Sequence, residues 1–180
     1  MKILLHVCCA PCLLGCLAAL AALKEEKARG KNIEPTLFWY NPNIQPQTEY
    51  IKRRDTLVQY AQNQNMSLIL EEHQELKLDD GPRSCTVQRS CTVCYRIRME
   101  KTAIKAKEQG FNAFSSTLFI SPYQNHDMLK QEAEDAAAQY GIDFLYQDFR
   151  PFFRSAQEKA RHLSLYRQKY CGCIFSKESK

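Results

Sequence analysis

Short apolar runs alternate along this chain with longer segments in which apolar residues recur at helical spacing. The apolar runs have the length and composition of buried strands, and they predict strands over 2–7, 35–40, 67–70, 113–117 and 144–146. The longer segments, several of which end at a glycine, predict helices over 13–29, 48–64, 91–108, 127–140 and 155–165. The polar stretch 71–90 is predicted to be a loop or a lid.

The order of these elements predicts the fold class. Strand and helix alternate, which favours an α/β fold with a parallel sheet and helices on both faces. The 180 residues suit one domain over 1–180, and the sequence has no repeat or linker that divides it. In such folds the active site lies beyond the carboxyl ends of the strands, near the point where strand order reverses. We therefore expect functional residues directly after the first strand.

Cysteine supplies the candidate chemistry, because seven of the nine cysteines fall into three tight groups. The groups are Cys8, Cys9 and Cys12 after the first strand, Cys91 and Cys94 at a helix start, and Cys171 and Cys173 around Gly172. The segment before Cys8 is too short for a signal peptide and no run approaches a membrane span, so we expect a cytoplasmic protein without a membrane partner. A reducing cytosol favours metal ligation or reversible thiol chemistry over structural disulfides.

The residues alone leave three kinds of thiol chemistry open. Two converging Cys-x-x-Cys pairs give a four-thiolate site for zinc or an iron–sulfur cluster, and a separation of about 80 residues favours the cluster over a zinc knuckle. Cys9 and Cys12 alone match a thiol–disulfide oxidoreductase. A zinc-stabilised RNA-binding module is the third alternative. Cys171 and Cys173 form either a strained, redox-active disulfide or two ligands of a metal.

Charge adds a candidate partner. The net charge of +5 is concentrated in residues 81–107 and 150–180, the segments that hold the second and third cysteine groups. Basic residues around thiols favour thiolates and attract an anionic substrate such as RNA. The glycine signatures of phosphate-binding loops are absent, which disfavours an enzyme with a nucleotide cofactor.

Several motifs together resemble one known family. They are His6-Val7-Cys8-Cys9-Ala10-Pro11, Phe38-Trp39-Tyr40-Asn41-Pro42-Asn43-Ile44, Cys91-x-x-Cys94, Ser115-Ser116-Thr117-Leu118 with Ser121-Pro122, and Tyr166-Arg167-Gln168-Lys169-Tyr170-Cys171-Gly172-Cys173. In this order they are similar to the epoxyqueuosine reductases of the QueH type, over almost the whole chain. The resemblance implies a HUP-like, Rossmann-like fold, a [4Fe–4S] cluster and an additional iron. It also implies reduction of the epoxide of epoxyqueuosine, at the wobble position of tRNA, to give queuosine.

The resemblance and the thiol spacing together give a predicted site. We expect Cys8, Cys9, Cys91 and Cys94 to bind the cluster, because two pairs at strand and helix ends supply four thiolates. Cys12 is predicted to bind the second iron, although some family members carry aspartate there. Cys171 and Cys173 are predicted to act beside the cluster, as a redox pair or as ligands of the second iron. Removing the epoxide oxygen requires two electrons, so an electron donor is a further expected partner.

Substrate contacts are predicted from charge and aromatic character. Bases of a single-stranded anticodon loop stack on aromatic side chains, for which Tyr40, Tyr50 and Phe119 are candidates. Asn41 and Asn43 are predicted to contact the tRNA as well. The predicted phosphate contacts are Arg53, Arg54, Arg83, Arg89, Arg96, Arg98, Arg150 and Arg167.

Overall fold

The computed structural model describes residues 1–26, 32–71, 91–173 and 176. The strands are β1 (Lys2–His6), β2 (Glu34–Trp39), β3 (Leu68–Leu70), β4 (Ala113–Ser116) and β5 (Asp143–Phe144). The helices are α1 (Ala10–Glu26), α2 (Gln47–Asn63), α3 (Cys91–Glu108), α4 (His126–Tyr140) and α5 (Phe153–His162). Two short 3₁₀ helices, Thr117–Ile120 and Arg150–Phe152, follow β4 and precede α5.

The strands form one parallel sheet in the order β3-β2-β1-β4-β5. The central strand β1 is buried from Ile3 to His6, and Leu5 lies between Leu37 of β2 and Ser115 of β4. Because crossovers between parallel strands are right-handed, this strand order puts α1 and α2 on one face of the sheet and α3 and α4 on the other; α1 contacts α2, and α3 contacts α4. The predicted parallel α/β fold is confirmed, and strand order reverses between β1 and β4.

Helix α1 begins directly after β1, earlier than the predicted residue 13. The Cys9 carbonyl accepts the first helical hydrogen bond, from the Leu13 amide at 3.2 Å. Further along α1, a Cβ on Gly15 would lie 2.3 Å from Cδ1 of Ile120 and 3.0 Å from Cβ of Ala156. Glycine therefore lets α1 pack closely against α5 and the 3₁₀ helix after β4.

Helix α4 shows how side-chain capping moved a predicted boundary. The pattern placed its start at residue 127, but the Asn125 side chain accepts a hydrogen bond from the Met128 amide and caps the helix. Gly141 ends α4 in the left-handed conformation, as the sequence predicted. None of the helices that the described residues form combines the length and apolar character needed to cross a membrane.

Candidate metal centre

Three thiols meet where β1 ends and α1 begins. Cys8 follows the strand, Cys9 precedes the first residue of α1, and Cys12 lies in its first turn. Their sulfur atoms all lie within 4.8 Å of one another, with Cys9 and Cys12 buried and Cys8 half-buried. Unpaired amides at the helix N-terminus favour anionic sulfur at this point. Within the described residues, this trio is the one group of three such side chains close enough to hold a metal ion.

The three thiols differ in their tendency to ionise. Hydrogen bonds from Cys12 and Cys9, together with Thr117, hold the pKa of Cys8 well below its usual range. Burial raises the pKa of Cys9, and the shared hydrogen bond with Cys8 raises that of Cys12. Within the trio, Cys8 is therefore the thiol that ionises most readily. Three soft donors with this preference suit iron or zinc.

His6 braces the same edge of the sheet. Its Nε2 lies 3.1 Å from the Tyr40 carbonyl, and its Nδ1 lies 2.9 Å from the Ser116 hydroxyl. Because a carbonyl only accepts, Nε2 carries the proton and Nδ1 accepts from Ser116. Burial, followed by the nearby positive charge of Arg98, lowers the pKa of His6 to about 4. A neutral imidazole therefore ties β1 to the ends of β2 and β4.

A second group of thiols surrounds the start of α3. Cys91 is its exposed first residue and Cys94, in the first turn, is half-buried. The Arg98 guanidinium donates from Nη2 to the Cys94 sulfur at 3.1 Å and from Nε to the Cys94 carbonyl at 3.0 Å. Arg98 is only 2% exposed, and no carboxylate of the described chain pairs with it. This buried cation faces sulfur instead of carboxylate.

The segment 166–173, here called the tail, reaches both thiol groups. Nε2 of Gln168 lies 2.8 Å from the Cys9 sulfur and 3.9 Å from that of Cys12. Cys171 accepts from Nε2 of Gln124 at 3.6 Å. Cys171 is exposed and Cys173 half-buried, and both are free thiols. The disulfide that the sequence left open is therefore not formed in the structure.

A buried ion pair on α2 holds the tail in place. The Arg53 guanidinium is 2% exposed and pairs with Glu49 at 2.7 Å. It also donates to the carbonyls of Tyr170 at 2.9 Å and Cys171 at 3.0 Å. The Tyr166 hydroxyl donates to Glu49 at 2.5 Å. Arg53 therefore connects α2 to the backbone that carries Cys171.

The other predicted substrate residues lie in varied surroundings. Asn41 is buried and donates to the Val7 carbonyl. Asn43 is half-buried as a residue, but its side-chain amide is buried and has no partner among the described residues. Tyr40 is half-buried and stacks on Phe38, while Tyr50 and Phe119 are core residues. Arg83 and Arg89, together with Cys85, lie outside the described residues.

The other arginines predicted to contact phosphate differ in whether a carboxylate pairs with them. Arg54 pairs with Asp55, Arg96 with Glu132 and Arg150 with Asp148. Arg167 is exposed on the tail.

Besides Arg98, which the sequence assigned to phosphate, four residues that contact the thiols or flank them were given no such role by the sequence. Thr117 donates to the Cys8 sulfur at 3.4 Å, and Gln124 and Gln168 donate to the sulfurs described above. Tyr123, beside Gln124, is 83% exposed. Thr117 and Gln168 lie inside the quoted motifs, but no local pattern identifies a hydrogen bond between residues 159 positions apart in sequence.

Comparison with known proteins identifies the family to which the chain belongs. A family model described as "Epoxyqueuosine reductase QueH" matches residues 3–179. The epoxyqueuosine reductase QueH of Dehalococcoides mccartyi is 33% identical, over 97% of this chain and 92% of its own length. That of Thermotoga maritima is 31% identical, over 97% of this chain and 89% of its own.

A solved structure resembles the fold at low sequence identity. It is the U34-tRNA thiolase NcsA from Methanococcus maripaludis with its [4Fe-4S] cluster, at a TM-score of 0.57 and 12% identity. The match covers 98% of this chain and 61% of the thiolase, so this chain spans about three fifths of that protein. At this identity the likeness shows a shared fold alone. The family match over nearly the whole chain decides the assignment, and this chain belongs to the epoxyqueuosine reductase QueH family.

Proposed function

We propose that the thiol edge of the sheet is where this epoxyqueuosine reductase removes the epoxide oxygen of its tRNA substrate. The observation that carries the proposal is the meeting of Cys8, Cys9 and Cys12 at the switch point between β1 and β4. Ligand sites of open α/β sheets lie there. Opening the epoxide and losing its oxygen as water consumes two electrons and two protons, and the product is queuosine.

The donor set fits an iron–sulfur cluster. Thiolates suit iron, and the buried Arg98 guanidinium has thiol sulfur as its neighbour where a carboxylate is the usual partner. We propose Cys8, Cys9, Cys91 and Cys94 as ligands of a [4Fe–4S] cluster, and Cys12 as a ligand of an additional iron. When bound, such a centre supplies electrons and a Lewis acid for the C–O bond.

In this proposal the protein's own residues hold the sulfurs in position and offset their negative charge. Arg98 offsets negative charge on the sulfurs, and Thr117 and Gln168 direct hydrogen bonds at them. His6 donates its one N–H to the Tyr40 carbonyl, so it braces the site and is not the proton donor. Cys171 and Cys173 are proposed to act beside the cluster, since the tail carries them next to Gln124 and the second thiol group.

For the substrate, we propose that the anticodon loop approaches the face that carries Cys171. The arginines Arg54, Arg96, Arg150 and Arg167 are proposed phosphate contacts. Asn43 is proposed to contact the modified base through its side-chain amide, which is buried and unpaired in the structure, and Tyr40 and Asn41 are proposed contacts on the same loop. Exposed Tyr123 is added as a stacking residue. The protein is proposed to act in the cytoplasm with a separate electron donor.

Cysteine replacement tests the proposal. Each of Cys8, Cys9, Cys12, Cys91 and Cys94 is changed to Ser, and Cys16→Ala serves as the control because Cys16 is a buried core residue of α1. Anaerobically purified parent protein is expected to be brown. The variants of Cys8, Cys9, Cys91 and Cys94 are expected to lose most of their iron and sulfide, and the Cys12 variant to lose the additional iron alone. Epoxide loss is then measured on tRNA from a strain lacking this step. Colourless parent protein with stoichiometric zinc contradicts the cluster, and unchanged iron in a variant removes that cysteine from the ligand set.

A further inference from the structure

Four sulfur atoms of the site each accept a hydrogen bond from a different part of the chain. Thr117 contacts Cys8 at 3.4 Å, Gln168 contacts Cys9 at 2.8 Å, and Arg98 contacts Cys94 at 3.1 Å. The fourth donor, Gln124, lies 3.6 Å from the Cys171 sulfur. We call Thr117, Gln168, Arg98 and Gln124 the sulfur donors.

Two of the sulfur donors, Arg98 and Gln168, differ from the others in charge or in distance to sulfur. Arg98 carries a full positive charge in an environment that excludes water, and the described chain gives it no carboxylate partner. Burial of such a charge is costly unless an anion neutralises it. Gln168 donates at the shortest distance of the four, and its amide also faces the Cys12 sulfur at 3.9 Å. The two contact different thiol groups, one from α3 and one from the tail.

Adding an electron to a thiolate-held centre increases its negative charge. A fixed positive charge or an N–H group directed at a ligand sulfur stabilises the more negative state. The effect is large where water is excluded, because little solvent screens it. Donors of this kind therefore raise the reduction potential of the centre they face.

We propose that Arg98 and Gln168 set the reduction potential of the metal centre held by these cysteines, keeping it high enough for its electron donor to reduce it. The inference rests on the proposed function. Both residues act through sulfur and not by touching the substrate, so they are positioning residues. Their contribution is separate from holding the metal, which falls to the cysteines.

The test is an anaerobic redox titration of the purified protein without tRNA. Gln168→Leu removes the N–H donor, and Gln168→Glu replaces it with a group that carries no N–H and can carry negative charge. The midpoint potential is expected to fall in Gln168→Leu and to fall further in Gln168→Glu. Gln139→Leu, at an exposed position on α4, is the matched control and is expected to keep the parent potential.

Two variants of Arg98 separate the effect of its positive charge on the reduction potential from the effect of its side-chain shape. Arg98→Lys keeps the positive charge and is expected to retain most of the potential, whereas Arg98→Met is expected to lower it. Turnover of the Gln168→Leu variant with dithionite is expected to drop and to recover with titanium(III) citrate, a stronger reductant. A merely structural defect does not respond to the strength of the reductant.

The outcomes distinguish this inference from the proposed function. Full iron content with an unchanged midpoint potential in both Gln168 variants overturns the inference alone. Parent protein that binds no iron overturns the proposed function and the inference together. If Arg98→Met fails to fold, the Gln168 variants still decide the question, because Gln168 lies on the tail outside the sheet and helices of the core.

Discussion

Tyr123 is a large aromatic residue that is almost fully exposed, which calls for an explanation. Large apolar surfaces are normally covered, yet Tyr123 is 83% exposed to solvent. Its ring and that of Phe153 make an edge-to-face contact, with 6.1 Å between the ring centroids. Its neighbour Gln124 contacts both the Tyr95 hydroxyl and the Cys171 sulfur. An aromatic ring held at the rim of a thiol site offers a stacking surface for a base of the anticodon loop.

Tyr123→Ala is therefore expected to weaken tRNA binding. Base–aromatic stacking contributes about 1–3 kcal/mol, so KM for the tRNA should rise about 5- to 160-fold. Tyr123→Phe keeps the ring and should keep KM near that of the parent. Tyr140→Ala, at the far end of α4, is a control for loss of an aromatic ring elsewhere. Equal KM values for Tyr123→Ala and the parent would show that the ring faces solvent only.

The second prediction for a single residue concerns Gly15, and it is tested by measuring the stability of the protein. In a helix interior, Gly→Ala is normally stabilising by about 1 kcal/mol. A Cβ on Gly15, however, meets buried Ile120 at 2.3 Å and the Phe152 carbonyl oxygen, a backbone atom, at 3.1 Å. Overpacking of this kind costs about 1–3 kcal/mol, so Gly15→Ala should lower the urea midpoint. Gly15→Ala combined with Ile120→Val should regain part of the loss.

At the scale of elements, the sequence predicted the regular parts of the fold well. Helix α3 begins and ends where its pattern predicted, and the strand order follows the expected parallel architecture. The 3₁₀ helix after β4 was missed because Thr117 fits a strand pattern. The Ser116 side chain accepts from the Leu118 amide and turns the chain there. Such local capping competes with periodicity and is not visible in it.

The tail lies near the thiols for a reason that the sequence does not contain. Arg53 was predicted to contact phosphate, and that prediction stays untested. In the structure its guanidinium is engaged with Glu49 and with two carbonyls 117 and 118 positions away. The sequence of an amphipathic helix does not distinguish an arginine whose charge is buried from one whose charge is exposed. Only the tertiary contact identifies α2 as the anchor of the tail.

Arg53→Lys tests that anchor. Lysine keeps the charge beside Glu49 but lacks the planar fork that reaches both carbonyls. Hydrogen bonds of a charged donor contribute about 1.5–3 kcal/mol each, so amides of residues 166–173 should exchange faster with solvent. Iron content should remain while kcat falls, because the tail cysteines are no longer held. Arg54→Lys, one position along, is the matched control; equal exchange in both variants contradicts the anchor.

For the molecule as a whole, the site joins three distant parts of one chain. Cys8, Cys9 and Cys12 come from its start, Cys91 and Cys94 from its middle, and Cys171 and Cys173 from its end. The sequence grouped them by spacing. It did not show that Gln168 of the tail contacts Cys9, nor that the Cys94 thiol neighbours Cys171 and Cys173. Those arrangements depend on sheet order and on the path of the tail.

We expect metal binding to fall to the first two cysteine groups, and the tail to contribute to the reaction in another way. Thiolates one residue apart rarely bind two irons of a cubane without distorting the backbone, and Gly172 already has a φ of 116°. A Cβ at this position would lie 3.0 Å from Cγ1 of Ile44 and 3.1 Å from Nη1 of Arg53, so the backbone between the two cysteines is closely packed. Cys171 and Cys173 are therefore expected to serve the reaction without being principal ligands of the cluster.

Replacing Cys171 and Cys173 together with Ala should leave the visible spectrum and iron content of the protein largely intact while epoxide reduction is lost. The spectrum is recorded anaerobically before and after reduction, and conversion is measured on tRNA carrying epoxyqueuosine. Cys16→Ala controls for loss of a thiol that lies in the core. Loss of the cluster in the double variant would make the pair ligands. Full activity would leave the tail a structural role only, because the anchor at Arg53 holds its backbone without either thiol.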